Sequence, residues 1–128
     1  MRLLLDTHML LWALVEPGRL PKAAAAHIRD RAHDVMYSAV SLWEIALKAQ
    51  AGRPVTSAPP ERLAEAAASS GYRELVITSR HATRIATLPM HHRDPFDRLL
   101  VAQALEEPAR LLTVDRRLVP YSELVMVV

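Results

Sequence analysis

Four acidic residues stand where predicted strands and helices meet. Asp6 and Asp115 each directly follow a short apolar run that is typical of a strand. Glu44 lies in the first turn of a predicted helix after the second strand, and Asp97 in the first turn of the helix before the fourth strand. Ligands of parallel sheets bind beyond the carboxyl ends of the strands. Glu44 is readily placed at that edge, whereas Asp97 reaches it only if the N-terminus of its helix folds over the edge.

The same acids also fit ordinary helix caps. Asp6 and Asp115 match N-caps, and the segment Ser41-Leu42-Trp43-Glu44 matches a capping box, with Lys48 at the spacing of a helix-surface ion pair. The segment Asp94-Pro95-Phe96-Asp97 matches an N-cap, a proline at N1 and an acid that favours the helix dipole. Four capping acids at one sheet edge would repel one another and raise one another's pKa unless a cation holds them.

The cation that suits such a cluster is a hard one. Carboxylate oxygens favour Mg²⁺, with Mn²⁺ as an alternative, and the chain has neither a cysteine nor the HExxH spacing of a zinc site. His91 and His92 are adjacent, so their rings diverge. We interpret both as exposed loop residues, with contact of one of them to substrate as the alternative, and His8 as part of the first helix turn.

Apolar runs alternate with helical patterns along the chain, which predicts an α/β fold. Strands are predicted over residues 2–5, 35–37, 75–77, 111–114 and 124–128. Helices are predicted over residues 7–16, 21–33, 41–52, 59–71, 78–88 and 94–107. Because the strands are apolar throughout, we expect a parallel sheet of four to five strands with helices on both faces.

Composition places the chain among ordinary globular proteins. With 128 residues, 51% apolar and 23% charged, we expect one domain over residues 1–128. The absence of cysteine excludes a disulfide framework. A net charge of +2 lacks the large excess of proteins that bind nucleic acid mainly through phosphates, although it allows such a partner. The apolar run 9–15 is too short to span a membrane, so we expect no membrane association and a cytoplasmic location.

Four segments in order resemble the PIN-domain ribonucleases. They are Leu-Leu-Asp-Thr-His at 4–8, Ser-x-x-Ser-Leu-Trp-Glu-Ile-Ala-x-Lys at 38–48, His-Arg-Asp-Pro-Phe-Asp-Arg-Leu-Leu at 92–100 and Leu-Thr-x-Asp at 112–115. The chain is similar to the VapC-like toxin of bacterial type II toxin–antitoxin pairs over nearly its whole length. Residues 53–73 carry no motif of that family, and we expect this stretch to hold substrate or partner specificity.

The resemblance implies a PIN-like three-layer sandwich with sheet order 3-2-1-4-5, which places the first and fourth strands side by side. It implies a Mg²⁺-dependent endoribonuclease that acts on an RNA substrate, forms a homodimer and is neutralised by a cognate antitoxin. The residues that match the family's acidic quartet, as metal ligands and catalytic groups, are Asp6, Glu44, Asp97 and Asp115. Thr113 would be a supporting hydroxyl and Asp94 an accessory acid.

Basic residues that flank these motifs are candidates for holding neighbouring phosphates. They are Arg93, Arg98 and Lys48. Each also fits a plainer explanation, because an arginine at such a position is commonly a solvated surface group and Lys48 can simply pair with Glu44.

Three other functional classes fit parts of the pattern. A receiver-like or flavodoxin-like binding module shares the α/β scaffold, but the predicted third strand ends in Val76-Ile77-Thr78 without the acid that a receiver needs. A phosphohydrolase with an Asp-x-Asp nucleophile would need a second acid at position 8, where His8 stands. A catalytically idle PIN fold that acts only through protein binding is opposed by the presence of all four acids. Metal-dependent RNA cleavage would separate these classes.

Overall fold

Five short parallel strands form one sheet at the centre of the protein. In the computed structural model, which describes residues 1–128, they are β1 (Arg2–Leu5), β2 (Asp34–Ser38), β3 (Arg73–Leu75), β4 (Arg110–Thr113) and β5 (Val125–Val127). The order across the sheet is β3-β2-β1-β4-β5. Leu5 pairs with Tyr37 of β2 and with Leu112 of β4, so the central strand β1 ends level with both neighbours. The predicted parallel sheet and its order 3-2-1-4-5 are confirmed.

Six α-helices and three short 3₁₀ helices connect the strands. The α-helices are α1 (Thr7–Val15), α2 (Lys22–Arg29), α3 (Ala39–Gln50), α4 (Pro60–Ser69), α5 (Ser79–Arg84) and α6 (Pro95–Glu106). The 3₁₀ helices are Pro17–Arg19, Ile85–Thr87 and Arg116–Tyr121. None of the helices has the length and apolar character needed to cross a membrane.

The alternation of side chains along the strands divides the core into two layers. On one face Leu4, Met36 and Leu111 pack against Leu100 and Val101 of α6. On the other face the strands pack against α1, α2 and α4; the buried residues there are Leu3, Leu5, Met9, Leu10, Ala24, Val35, Tyr37, Ala67 and Leu112. Helix α3 contacts α1, α4 and α6. The sheet is therefore covered on both faces, which confirms the predicted three-layer sandwich.

The third strand lies earlier in the chain than its apolar residues predict. Strand β3 covers Arg73–Leu75, not residues 75–77, and both Val76 and Ile77 are exposed. Its polar residues find partners on β2: Arg73 Nη2 donates to Asp34 Oδ2 at 2.6 Å, and Glu74 accepts from the Tyr37 hydroxyl at 3.3 Å. Because β3 is an edge strand, charged side chains can pair there without being buried.

Two predicted helix boundaries also require correction. Helix α2 ends at Arg29 rather than near His33, since the Asp30 carboxylate accepts from the Ala32 amide and closes a turn. Helix α3 begins at Ala39, because Ser38 at the end of β2 caps it by accepting from the Val40 amide at 3.0 Å. Ser41 is therefore not the N-cap, and the predicted capping box with Glu44 does not form.

Glycines end two of the helices as predicted. Gly52 follows α3 with φ of 77°, and Gly71 follows α4 with φ of 84°. The left-handed backbone at these positions strains residues that carry a Cβ, whereas glycine adopts it freely.

Candidate active site

Asp6 stands at the junction of β1 and α1, at the carboxyl edge of the sheet. Its Oδ1 accepts from the Met9 amide at 2.9 Å and so caps α1, while its Oδ2 accepts from the Thr113 hydroxyl at 2.6 Å. The residue is only 4% exposed. Burial raises the pKa of Asp6 above its ordinary value, although the hydrogen bonds from Thr113 and Met9 act in the opposite direction.

Thr113 links Asp6 to Asp115 across the edge. The buried Thr113 hydroxyl donates to Asp6 and accepts from the Asp115 amide at 3.0 Å. The Asp115 carboxylate caps the following 3₁₀ helix through the Arg117 amide, and the Arg117 guanidinium binds both of its oxygens, at 3.0 and 2.9 Å. Hydrogen bonding from Arg117 lowers the pKa of Asp115 to about 2. Asp115 is therefore ionised at any physiological pH.

Glu44 enters the site from the second turn of α3. It is 5% exposed, and its Oε1 accepts from the Thr7 hydroxyl at 2.8 Å. Thr7 in turn contacts the Ser41 hydroxyl at 3.0 Å. The other oxygen, Oε2, receives the Lys48 ammonium at 2.7 Å. Threonine and lysine thus hold the carboxylate of a buried glutamate in one orientation.

Asp97 reaches the site because α6 starts at the carboxyl edge of the sheet. Asp94 caps α6 by accepting from the amides of Phe96 and Asp97, at 2.8 and 3.1 Å. Burial and repulsion from Asp94, Asp6, Glu44 and Asp115 raise the pKa of Asp97 to about 7. The four predicted acids therefore lie close enough to act on one another, and the condition placed on Asp97 is met.

His92 also belongs to this cluster, which corrects its interpretation as an exposed loop residue. Its side chain is 9% exposed, and its Nε2 lies 3.3 Å from Asp115 Oδ2 and 3.4 Å from Asp97 Oδ2. Its neighbour His91 is exposed and packs its ring edge against Tyr121 at 5.0 Å. One ring of the pair faces the acids, and the other faces solvent.

The predicted phosphate-binding residues have different surroundings. Arg93 is exposed and forms no ion pair with an acid. Arg98 donates to the Leu88 carbonyl at 3.0 Å, and its Nε is buried without a partner. Lys48 pairs with Glu44, while its own side chain is 40% exposed. Of these three residues, Arg93 has the cationic group with the fewest contacts to the rest of the protein.

Helix capping and clustering of acids coexist at this edge. Asp6, Asp94 and Asp115 all cap helices as predicted, and Asp97 occupies the N3 position of α6. Capping uses Oδ1 of Asp6, whereas Oδ2 points to Thr113. The N-terminal ends of α1 and α6 and the 3₁₀ helix after β4 thus bring these acids to one place.

The donor set fits a hard divalent cation. Carboxylate oxygens dominate the cluster, and the polar protein group nearest to the Asp97 carboxylate is His92 Nε2, 3.4 Å from its Oδ2. A carboxylate oxygen of Asp97, one of Asp115 and a ring nitrogen of His92 lie within 4.8 Å of one another. Burial and then repulsion by the neighbouring acids raise the pKa of Asp97, and a divalent cation would offset that repulsion.

Sequence reasoning missed several residues that position the acids. Thr7 and Ser41 support Glu44, and Arg117 binds Asp115. The position of Arg117, two residues after an acid that caps a helix, offered a local signal for that pairing. The contact of Thr7 with Glu44 joins α1 to α3 and has no local signal.

The comparisons with known proteins agree with this fold. The PIN domain family model matches residues 3–124. Ribonuclease VapC22 of Mycobacterium tuberculosis (strain ATCC 25618 / H37Rv) is 36% identical over 119 residues, which cover 90% of this chain and 88% of that protein. The crystal structure of VapBC2 from Rickettsia felis, bound to a DNA fragment from their promoter, contains a chain of the same fold. It matches with a TM-score of 0.68 at 15% identity over 100% of this chain and 98% of its own. The match to the family model and the similarity to VapC22 show that this chain belongs to the PIN-domain family.

Proposed function

We propose that this protein is a VapC-like toxin, an endoribonuclease that requires a divalent cation, with Mg²⁺ as the preferred ion. The observation that carries the proposal is the meeting of Asp6, Glu44, Asp97 and Asp115 at one sheet edge, where burial and then repulsion by the neighbouring acids raise the pKa of Asp97 to about 7. Similarity to Ribonuclease VapC22 supports RNA as the substrate. Helix capping alone would not require four acids to share one place.

The negative charge of the four acids opposes the binding of an anionic substrate. An RNA phosphodiester is an anion, so carboxylates alone would repel it. The residues that would hold the cation are Asp6, Glu44, Asp97 and Asp115. When bound, the ion supplies Lewis-acid chemistry: it attracts the scissile phosphate, lowers the pKa of water and stabilises charge on the leaving oxygen.

The other residues of the site fix the orientation of the acids. The Thr113 hydroxyl holds Asp6 and binds the backbone of Asp115, so it sets the spacing between β1 and β4 acids. The Thr7 hydroxyl likewise holds the Glu44 carboxylate by a hydrogen bond. Asp94 keeps the first turn of α6 in place and adds negative charge beside Asp97. Preorganised carboxylates lose little freedom when they bind a cation.

Contacts to neighbouring phosphates would come from basic residues at the rim. Arg93 is the first candidate, because it is exposed and lies beside Asp94. Lys48 could reach substrate only by leaving Glu44, and Arg98 only by leaving the Leu88 carbonyl. We therefore rank Arg93 above both as a phosphate-binding residue.

Cleavage products should carry a 5′-phosphate and a 3′-hydroxyl. Attack by the RNA's own 2′-hydroxyl would need a general base and a general acid, and paired histidines commonly supply them. Both ring nitrogens of His92 are engaged, Nδ1 by the Asp94 amide and Nε2 by Asp115 Oδ2, so His92 is not free to serve in such a pair. Ligation of adapters to untreated RNA ends measures this directly. Products with 2′,3′-cyclic phosphate would contradict attack by water.

We further propose a homodimer and an antitoxin partner. The two tryptophans differ in their surroundings: Trp12 is half-buried with the Arg19 guanidinium 5.1 Å over its ring, whereas Trp43 is 51% exposed. Trp43 packs edge-on against Phe96 at a centroid distance of 5.1 Å, and Leu47, one turn further along α3, is 40% exposed. This apolar surface on α3 and its neighbours favours Trp43 as the residue that contacts a second copy. The VapBC2 complex of similar fold supports the antitoxin.

Self-association through Trp43 predicts a sedimentation mass near twice 14.3 kDa at micromolar concentration. Trp43→Ser should shift the protein toward the mass of one chain, because it removes a large apolar contact. Val119→Ser is a matched control, since Val119 is 50% exposed but lies in the 3₁₀ helix after β4. A mass near 14.3 kDa for the unaltered protein would contradict the proposed dimer.

A further inference from the structure

The ring of His92 is held at both nitrogens. Its Nδ1 accepts a hydrogen bond from the Asp94 amide at 3.2 Å. Because the lone pair of Nδ1 is engaged, the hydrogen of the neutral ring is on Nε2. That nitrogen faces Asp115 Oδ2 at 3.3 Å and Asp97 Oδ2 at 3.4 Å. His92 thus hydrogen-bonds Asp115, has Asp97 Oδ2 within 3.4 Å of the same nitrogen, and offers no free lone pair to a cation.

The backbone of His92 is fixed as well. The Tyr121 hydroxyl accepts from the His92 amide at 3.0 Å and donates to its carbonyl at 3.4 Å. Tyr121 ends the 3₁₀ helix that starts just after Asp115, whereas Asp94 caps α6 ahead of Asp97. One histidine therefore joins the two segments that carry two of the acids.

We propose that His92 is a positioning residue, which holds Asp97 and Asp115 at the separation that a divalent cation needs by donating its Nε2 hydrogen between their Oδ2 atoms. The proposal rests on the proposed function, because it assumes that both acids bind the cation. Removal of a group that hydrogen-bonds a metal ligand commonly reduces metal affinity or activity by about 10–100-fold. Asp97 depends most on this contact, since its carboxylate has no other donor from the protein.

The test compares the same substitution at two adjacent histidines. Mn²⁺ is titrated into His92→Phe and His91→Phe without RNA, and binding is followed by calorimetry. Both changes keep an aromatic ring, but only the first removes a donor from the acids. We expect His92→Phe to lose about 10–100-fold in Mn²⁺ affinity, and His91→Phe to stay within about twofold of the unaltered protein.

Two further variants separate donation from ring packing. In His92→Gln the side-chain amide nitrogen takes the place of Nε2, so affinity should return most of the way to that of the unaltered protein. In His92→Asn the amide ends short of both carboxylates, so the loss should resemble that of His92→Phe, and this variant serves if the phenylalanine does not fold. Equal or higher affinity in a folded His92→Asn or His92→Phe would overturn the proposal, as would a full loss in folded His92→Gln.

The bound ion supplies an independent measurement on the unaltered protein. Electron spin echo modulation of bound Mn²⁺ should show no directly coordinated nitrogen, because His92 acts through the carboxylates. Strong nitrogen coupling would make His92 a ligand and overturn the positioning role. If the unaltered protein neither binds Mn²⁺ nor cleaves RNA, the proposed function fails with this inference. If it does both and His92→Phe binds Mn²⁺ equally well, only this inference fails.

Discussion

Replacement of Asp97 by Asn is expected to reduce RNA cleavage by about 10²–10⁴-fold while the protein stays folded. The change removes one charge from the group that would hold the cation and keeps the size of the side chain. Loss of the favourable interaction with the dipole of α6 costs only about 0.3–1 kcal/mol. Initial rates on one RNA in Mg²⁺ measure the effect, with circular dichroism to confirm the fold.

The same result is expected for Asp6→Asn, Asp115→Asn and Glu44→Gln. Asparagine caps a helix as well as aspartate does, so capping at Asp6 and Asp115 survives these changes. A matched control is Asp30→Asn, since Asp30 caps a turn at the opposite edge of the sheet through the Ala32 amide. Full activity in Asp6→Asn or Asp97→Asn would return these acids to the role of helix caps.

When no metal is present, removal of the Asp97 charge should stabilise the folded protein, although it reduces cleavage. The pKa of Asp97 is raised from 3.8 to about 7, chiefly by burial and then by the neighbouring acids. Below the unfolded pKa the carboxyl is protonated in both states, and its contribution to stability is fully present. As pH rises toward the folded pKa, the unfolded state releases the proton first, so the free energy of unfolding falls by up to about 1.4 kcal/mol per pH unit. The window of loss therefore runs from about pH 4 to pH 7.

Urea unfolding in EDTA tests this linkage. At pH 8, Asp97→Asn should be more stable than the unaltered protein by about 1–3 kcal/mol, after the lost dipole interaction is subtracted. The difference should shrink to less than about half at pH 5, where the folded protein keeps Asp97 protonated. A variant that is less stable than the unaltered protein at pH 8 would show that burial and repulsion do not destabilise the ionised Asp97 carboxylate.

Added Mg²⁺ should reverse the order of stability at pH 8. A cation binds the ionised form, so at pH 6 it must displace a proton from a group whose pKa is about 7. Mg²⁺ affinity should then fall by about tenfold between pH 8 and pH 6 in the unaltered protein, and less in Asp97→Asn. The rise in melting temperature with Mg²⁺ reports this affinity.

The sequence predicted those parts of the site that depend on local structure. Asp6 and Asp115 follow apolar runs that are buried in a parallel sheet, and such runs end at one edge whatever the details of packing. That the two strands are neighbours came from the family resemblance rather than from the pattern of the runs. The capping role of Asp94 followed from its place before Pro95.

Other features depend on tertiary contacts that leave no mark in the local sequence. His91 and His92 are alike in the chain, and what separates them is the Tyr121 hydroxyl, far along the sequence, that fixes their loop. Ser38 and Ser41 both fit a helix cap, and only the length of β2 decides between them. Strand β3 uses Arg73, which a search for apolar runs passes over, because its charge is satisfied by Asp34 on the neighbouring strand.

The most direct test is cleavage of one RNA by the unaltered protein and by Asp97→Asn, each assayed in EDTA and again after excess Mg²⁺ is added. We predict no cleavage by either protein in EDTA, cleavage restored by Mg²⁺ in the unaltered protein, and little or none restored in Asp97→Asn. Cleavage by the unaltered protein in EDTA, or equal restoration in both proteins, would contradict a cation held by these acids.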